Sequence, residues 1–216
     1  EVHALVDVDV QVMPGALTVV RGPSGSGKTT LLNILGGLDR PTSGRVVLGD
    51  GRVLSEMREN DVLAVRRELI GYVFQSFGLI PVLSAAENVE VPLRLRGTPV
   101  AERERRVAEA LELVGLGKHA TQRPYELSGG QQQRVGIARA LVGEPRVLIA
   151  DEPTGQLDSE TAATIMDLIA DLVHQQGIAA VVSTHDPILM ARADTLVELH
   201  DGRVVDASAP ADHVPG

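Results

Sequence analysis

Gly22-Pro23-Ser24-Gly25-Ser26-Gly27-Lys28-Thr29 lies between an apolar run, Leu17 to Val20, and a second one carrying Leu31, Leu32, Ile34 and Leu35. The spacing is G-x-x-x-x-G-K-[ST], and a strand before with a helix after is the context that a phosphate-binding loop requires. The glycines let the backbone curl so that successive N–H groups point at one place. The start of the helix adds its positive end there. Lys28 brings a cation to the β and γ phosphates of a nucleoside triphosphate, and Thr30 follows within the same turn. The Thr29 hydroxyl is suited to Mg²⁺, which also takes phosphate oxygens and water. ATP and Mg²⁺ are therefore the expected cofactors of this loop.

Downstream, Val147-Leu148-Ile149-Ala150 is an apolar strand that ends in Asp151-Glu152. Neighbouring side chains of an extended chain point to opposite sides, so the two acids are expected to do different work. Asp151 would face the Mg²⁺ shell and Glu152 the attacking water. Between the loop and this strand lies Leu127-Ser128-Gly129-Gly130-Gln131. Ser128 is placed to cap a helix running to Val142, which makes Ser128, Gly129 and Gly130 a second anion site. One chain that already has a phosphate loop leaves a second such site to be explained.

The rest of the chain alternates strands and helices. Val6, Val8, Val10 and Val12 alternate with polar residues, the pattern of a strand with one wet face. Pro14-Gly15 turns the chain into Leu17 to Val20. Residues 46–48 and 52–54 read as a hairpin around Gly49-Asp50-Gly51. Asn60 is the expected N-cap of a short helix to Arg67, and Ile70 to Phe74 is the next strand. Ser84 caps a helix around Ala85 to Val89. Pro99 to Val114 carries Val107, Leu111 and Val114 on one helical face. Val147–Ala150 and Ile178–Ser183 flank a helix from Ser159 to about Gln175, and a last hairpin turns at Asp201-Gly202. The tail from Asp206 is expected to be loose. Alternation of this kind implies an α/β fold with a mostly parallel sheet and helices on both faces.

Composition narrows the function. The 216 residues include 44% hydrophobic but only 2% aromatic ones, so the core must be aliphatic. With no Cys there is neither a disulfide framework nor a thiolate metal site. A net charge of −9 argues against a nucleic-acid binder, which needs a basic face. No signal peptide is visible, and no apolar run is long enough to span a bilayer.

The phosphate loop, the Leu127–Gln131 pentad, Gln132-Gln133-Arg134 and Asp151-Glu152, in this order, resemble the ATP-binding cassette family, from about Val2 to Val205. That resemblance implies a P-loop NTPase (RecA-like) core with an antiparallel β region and an inserted helical lobe. It implies a single nucleotide-binding domain over residues 1–216, with residues 1–81 and 142–205 as core and residues 82–141 as the helical lobe. It implies an ATPase whose subunits pack head to tail, Ser128, Gly129, Gly130 and Gln131 of one closing over the γ-phosphate held by the other. By resemblance, Gln75 reaches Mg²⁺ and the water, His185 senses the γ-phosphate, and Asp158 lies in the loop that crosses the dimer interface.

Two positions depart from the family. Gln156 stands where many relatives have Asn or Ala. Relatives also carry a further N-terminal strand and an aromatic residue that stacks on adenine, whereas the first aromatic residue here is Tyr72. Adenine is then either held differently or contacted by residues that precede this sequence; stacking contributes about 1–3 kcal/mol per base.

Gly36-Gly37-Leu38-Asp39-Arg40-Pro41-Thr42-Ser43-Gly44 and Val73-Phe74-Gln75-Ser76-Phe77-Gly78-Leu79 resemble the branch of lipoprotein-releasing, macrolide-exporting and cell-division ATPases. The implied partner is an integral membrane permease with few transmembrane helices and a large extracytoplasmic domain. The implied location is the cytoplasmic face of the membrane, with Phe77 to Val91 facing the permease. The alternatives are a DNA-associated ATPase of this family, a non-hydrolytic regulatory switch, and an unrelated P-loop kinase. Salt-sensitive DNA binding would favour the first. Absence of turnover would favour the second, and absence of ATP-dependent dimerisation the third.

Overall fold

The computed structural model describes residues 4–186 and 190–208. Among these residues six strands form one sheet: β1 (Leu17–Arg21), β2 (Ile70–Val73), β3 (Val147–Asp151), β4 (Ala179–Ser183), β5 (Thr195–His200) and β6 (Arg203–Ser208). Their order across the sheet is β2-β3-β4-β1-β5-β6. All pairings are parallel except β5 with β6, which is the hairpin expected at Asp201-Gly202. Because β1 to β4 run the same way, their carboxyl ends open on one edge. Open α/β sheets bind ligands at that edge.

The central strands β1, β3 and β4 bury both faces, as parallel strands covered by helices do, whereas the edge strand β6 is largely exposed. Leu17, Val19, Leu148, Ala150, Ala180 and Val182 enter one core with helices α3 (Ala85–Leu95), α4 (Val100–Leu113), α5 (Gly129–Leu141) and α6 (Ser159–Gln176). Val20, Ile149, Val181, Val197 and Leu199 enter the other with α1 (Lys28–Leu35) and α2 (Glu59–Leu69). The period of two assigns neighbours to opposite cores. No aromatic residue is among the fully buried side chains, so both cores are aliphatic, as the composition demands.

Helices α3, α4 and α5 form the lobe between β2 and β3. Asn88 of α3 is fully buried and fully used. Its Oδ1 accepts from Ile80 N–H at 2.7 Å, and its Nδ2 donates to the carbonyls of Ile80, Leu83 and Ser84. It thereby holds the turn that leads into the lobe. Arg96, just past α3, binds the lobe to the core. It donates to the carbonyls of Arg67 and Glu68 at the end of α2 and to that of Gly143 beyond α5.

Several elements differ from expectation. Residues 6–12 keep the alternation in burial, Val8, Val10 and Val12 resting on the second core, but they form no strand. Alternation measures which side is wet, and a ladder also needs a neighbour; Val6 N–H bonds instead to Gly202 O in the β5–β6 turn. The 46–54 hairpin is reduced to one bridge, Val47 with Val53, because Leu54 starts a 3₁₀ turn. Helix α2 begins at Glu59 with Arg58 as N-cap, so Asn60 lies inside it. Helix α3 runs past Val89 and through Pro92 to Leu95. Asp206 to Ser208 belong to β6, and the remainder of the expected loose tail lies outside the described residues, as does Val2.

Candidate functional site

The phosphate loop turns off the end of β1. Gly25 and Gly27 hold φ of 82° and 102°, a region that costs a side chain dearly and a glycine little. Gly27 is the N-cap of α1 and supplies no side-chain acceptor, so the first N–H groups of the helix have no protein partner in the cap. Behind the loop there is no room: a Cβ on Gly22 would meet Leu199 O, and one on Gly27 would stand 2.5 Å from Ala4 O. Gly202 N–H donates to Ser26 O at 3.0 Å, so the β5–β6 turn braces the loop. Ser26 itself is turned inward and buried, while Pro23, Ser24 and Gly25 are exposed.

Lys28 Nζ donates to Gly22 O at 2.8 Å and to Pro23 O at 3.1 Å. Its ammonium is thus held over the loop by carbonyls alone among its recorded bonds. Orphan N–H groups and an ammonium without a carboxylate make a fitting cradle for phosphates. Thr30 is half-buried in the same turn.

Strand β4 lies between β1 and β3, which separates the loop from the acidic strand end by two strand spacings, about 10 Å. A chain of hydrogen bonds crosses that gap. Thr29 Oγ1 donates to Asp151 Oδ2 at 2.8 Å, and Ser183 Oγ donates to Asp151 Oδ1 at 2.6 Å. Ser183 Oγ also accepts from Glu152 N–H at 2.8 Å. His185 Nδ1–H donates to Glu152 Oε2 at 3.0 Å, since the carboxylate only accepts. Glu152 is mostly buried, with 18% of its side chain exposed, and His185 stands out at 74%.

The two acids do diverge, but not by strand alternation. The strand ends at Asp151, and Glu152 takes φ 45°, an uncommon conformation for a side-chain-bearing residue that costs on the order of 1–3 kcal/mol. Its own N–H, held by Ser183, sustains that turn. Gln75, past the end of β2, lies against the same turn: a Cβ on Gly155 would be 2.8 Å from Gln75 Nε2. Thr29, Asp151 and Gln75 offer oxygen ligands but only one carboxylate, and no cluster of three acidic or imidazole groups occurs among the described residues. That donor set fits Mg²⁺, which keeps waters and takes phosphate oxygens.

The pentad is elsewhere. Ser128 caps α5 reciprocally: its Oγ accepts from Gln131 N–H at 3.3 Å, and Gln131 Oε1 accepts from Ser128 N–H at 2.9 Å. A Cβ on Gly130 would stand 2.6 Å from Thr161 Cγ2, a clash, and one on Gly129 a tight 3.3 Å from Leu157, so the glycines let α5 approach the start of α6 closely. Asp158 caps α6, accepting from Thr161 N–H at 3.0 Å and Thr161 Oγ1 at 2.7 Å. The Thr161 amide hydrogen bond holds its carboxyl below the usual range. Gln156 is exposed in the loop before it.

Ser183 was not singled out by the sequence reading, although it binds Asp151 directly and the Glu152 backbone. The one available sign was a hydroxyl at the end of an otherwise apolar strand, Ala179-Ala180-Val181-Val182.

Comparison with known proteins identifies the family. Residues 5–155 match the family described as ABC transporter. An uncharacterized ABC transporter ATP-binding protein of Thermotoga maritima is 48% identical over 204 residues, covering 94% of this chain and 86% of that protein. The macrolide export ATP-binding/permease protein MacB of Brucella melitensis is 46% identical over 215 residues, 99% of this chain but 33% of that protein. The chain therefore spans about a third of that relative's length. The dimeric ATP-binding cassette MJ0796 in a post-hydrolysis state, bound to ADP and Pi, superposes with a TM-score of 0.87 at 40% identity, covering 98% of this chain and 92% of that one.

Proposed function

This chain belongs to the ABC transporter family and is an ATP-binding cassette of the ATP-hydrolysing kind, and from that membership we propose that it drives a membrane permease by closing as an ATP-bound, head-to-tail homodimer. The observation that carries the reading is the unbroken run from Thr29 through Asp151 and Ser183 to Glu152 and His185. It joins the phosphate loop to a buried carboxylate and a histidine across three strands, as hydrolysis of a phosphoanhydride by water requires. The backbone N–H groups of residues 24–29 in the Gly22–Thr29 loop, with Lys28 and Thr30, hold the phosphates. Thr29, Asp151 and Gln75 hold Mg²⁺, which supplies charge neutralisation at the phosphate oxygens when bound.

Glu152 accepts the proton of, or orients, the attacking water; His185, tied to Glu152, steadies that carboxylate and reaches the γ-phosphate. Ser128, Gly129, Gly130 and Gln131 act on the nucleotide of the second copy, with Asp158 beside the interface. What supports this half of the reading is the dimer formed by the related cassette MJ0796 and the outward use of the pentad as a helix cap. The residues form one nucleotide-binding domain.

No helix among the described residues is long and apolar enough to cross a membrane, so the membrane part of the transporter is a separate domain or subunit. The macrolide relative unites ATP-binding and permease parts in one protein, which supports a permease of that few-helix type on the cytoplasmic face. Within residues 77–91 the surface open to a permease is smaller, since Ala85 and Val89 are core residues and the exposed large apolar side chains are Ile80 and Val82, with Phe74 exposed just before the segment.

The test is the solution mass of Glu152→Gln with and without ATP and Mg²⁺. A monomer that becomes a dimer only with ATP supports the composite site. A chain that binds ATP to saturation yet stays monomeric, alone and with its permease, rules the homodimer out.

A further inference from the structure

Helix α5, which Ser128 opens, lies along the segment that carries Gln75. Gln133, Gly136 and Arg139 recur at intervals of three on α5 and meet that segment in turn. Gln133 is fully buried, and its Nε2 donates to Phe74 O at 3.5 Å, the long limit of a hydrogen bond. A Cβ on Gly136 would stand 3.3 Å from Phe77 O, so the loop backbone rests on the helix. Arg139 Nη1 donates to Gly78 O at 2.6 Å and Nη2 to Phe77 O at 3.2 Å. Phe77 and Gly78 both hold φ 60°, and this left-handed turn presents the two carbonyls to the helix.

Two features set this contact apart from ordinary packing. Arg139 is a largely desolvated cation, and burial alone moves its pKa, downward; among the described residues no carboxylate forms an ion pair with it. A desolvated charge demands compensation. Here the carbonyls of Phe77 and Gly78 provide it, so the turn cannot leave α5 without stranding the charge. Gln133 Oε1, by contrast, is buried with no donor among the described residues. Buried polar atoms without a protein partner are few in native structures.

We infer that Arg139 and Gln133 are positioning residues for Gln75: they fasten residues 74–78 to α5, so that the placement of Gln75 at its own nucleotide follows the helix whose first residues meet the nucleotide of the second copy. This rests on the roles given above to Gln75 and Ser128. Neither Arg139 nor Gln133 touches the phosphate loop. Their loss is expected in turnover rather than in nucleotide affinity.

The experiment compares wild type, Arg139→Gln, Arg139→Lys and Gln133→Leu as full chains. Two readouts are taken: amide hydrogen exchange without nucleotide, and ATPase kinetics with Mg²⁺. In Arg139→Gln, amides 76–80 are expected to exchange at least about tenfold faster while those of residues 148–152 stay unchanged. Its kcat is expected to fall about 10- to 100-fold with KM within about twofold, since misplacing a reacting group by about 1 Å costs up to about 10²-fold. Arg139→Lys, which keeps the charge, is expected to recover part of both.

Unchanged exchange at residues 76–80, or unchanged kcat, overturns the inference. So does faster exchange across the whole chain, which would assign Arg139 to the core. Should Arg139→Gln fail to fold, Arg139→Lys and Gln133→Leu carry the same comparison. A wild type that neither binds nor hydrolyses ATP would sink the functional reading itself, and with it any role for Gln75. An active wild type with an unaffected Arg139→Gln sinks only the present inference.

Discussion

The carboxyl edge of the sheet and the start of α5 both offer helix N–H groups to an anion, yet they are built differently. At the sheet edge, three strands contribute, β1 through the phosphate loop, β3 and β4. Thr29, Asp151 and Ser183 are tied side chain to side chain, Ser183 Oγ also accepts from the Glu152 backbone N–H, and the Glu152 carboxylate accepts from His185. At α5, Ser128 and Gln131 satisfy only each other, within one turn of one helix. The first region is a site assembled by the fold. The second is a local cap whose glycines pack closely on Thr161 and Leu157. Half of the proposed machine is therefore complete in one chain, and the other half waits for a second.

The largest effects are expected where the assembled region is cut. Glu152→Gln should lower turnover by about 10²–10⁴-fold with ATP binding retained, whereas Lys28→Ala should abolish binding as well. Titration with nucleotide followed by single-turnover kinetics separates the two. Equal loss of binding in both would mean that Glu152 holds the nucleotide and does not serve the water.

Next in size is Ser128→Arg. Turnover should fall about 10- to 100-fold, by loss of an anion-binding donor at the transition state. Stability should change only by the loss of a cap, about 1 kcal/mol, and ATP should still bind the free chain. Mixing this variant with Lys28→Ala should restore activity. Random pairing puts half the chains into mixed dimers with one intact composite site each, or about a quarter of wild-type turnover. No recovery on mixing would deny that the pentad works across copies.

Gly130→Ala tests whether packing alone demands the glycine. Its Cβ would stand 2.6 Å from Thr161 Cγ2, and overpacking of that kind costs about 1–3 kcal/mol. Thr161→Ser removes that methyl and keeps the hydroxyl bonded to Asp158, so the double variant should regain most of the loss in a denaturant titration.

The smallest effect is acid sensitivity of the caps. The Thr161 amide holds the Asp158 carboxyl below its ordinary value of 3.8, and the Ser84 amide does the same for Glu87 below 4.5. A depressed carboxyl contributes its full stability above the unfolded value and loses it as pH falls through the folded one. Both caps should therefore be intact at neutral pH and loosen only below about pH 4, read as faster exchange at the starts of α6 and α3. Asp158→Asn should remove the acid sensitivity at α6 alone.

Most of this edge was readable in the chain before folding. The phosphate loop, Asp151-Glu152 and the pentad are contiguous words, each with its chemistry inside a few residues. The caps at Ser84, Ser128 and Asp158 are equally local. Ser183 was not readable, because its meaning lies in Asp151 and Glu152, about thirty residues away. Arg139 was not readable either: on a helix face it looks like a solvated cation until the turn at Phe77 closes over it. The expected strand at residues 6–12 failed for the complementary reason, since alternation records exposure and leaves the hydrogen-bonding neighbour unspecified.

The order of residues alone settled the family of chemistry, the positions of the loop and the acids, and the starts of the capped helices α3, α5 and α6, because backbone conformation and capping act over three or four residues. The fold settled what lies between those positions. Strand β4 stands between the loop and the acidic strand, Ser183 bridges them, Glu152 turns by a left-handed residue, and α5 grips the segment carrying Gln75. Each of these is a relation between segments distant in sequence, made only when parallel strands bring their carboxyl ends to one edge.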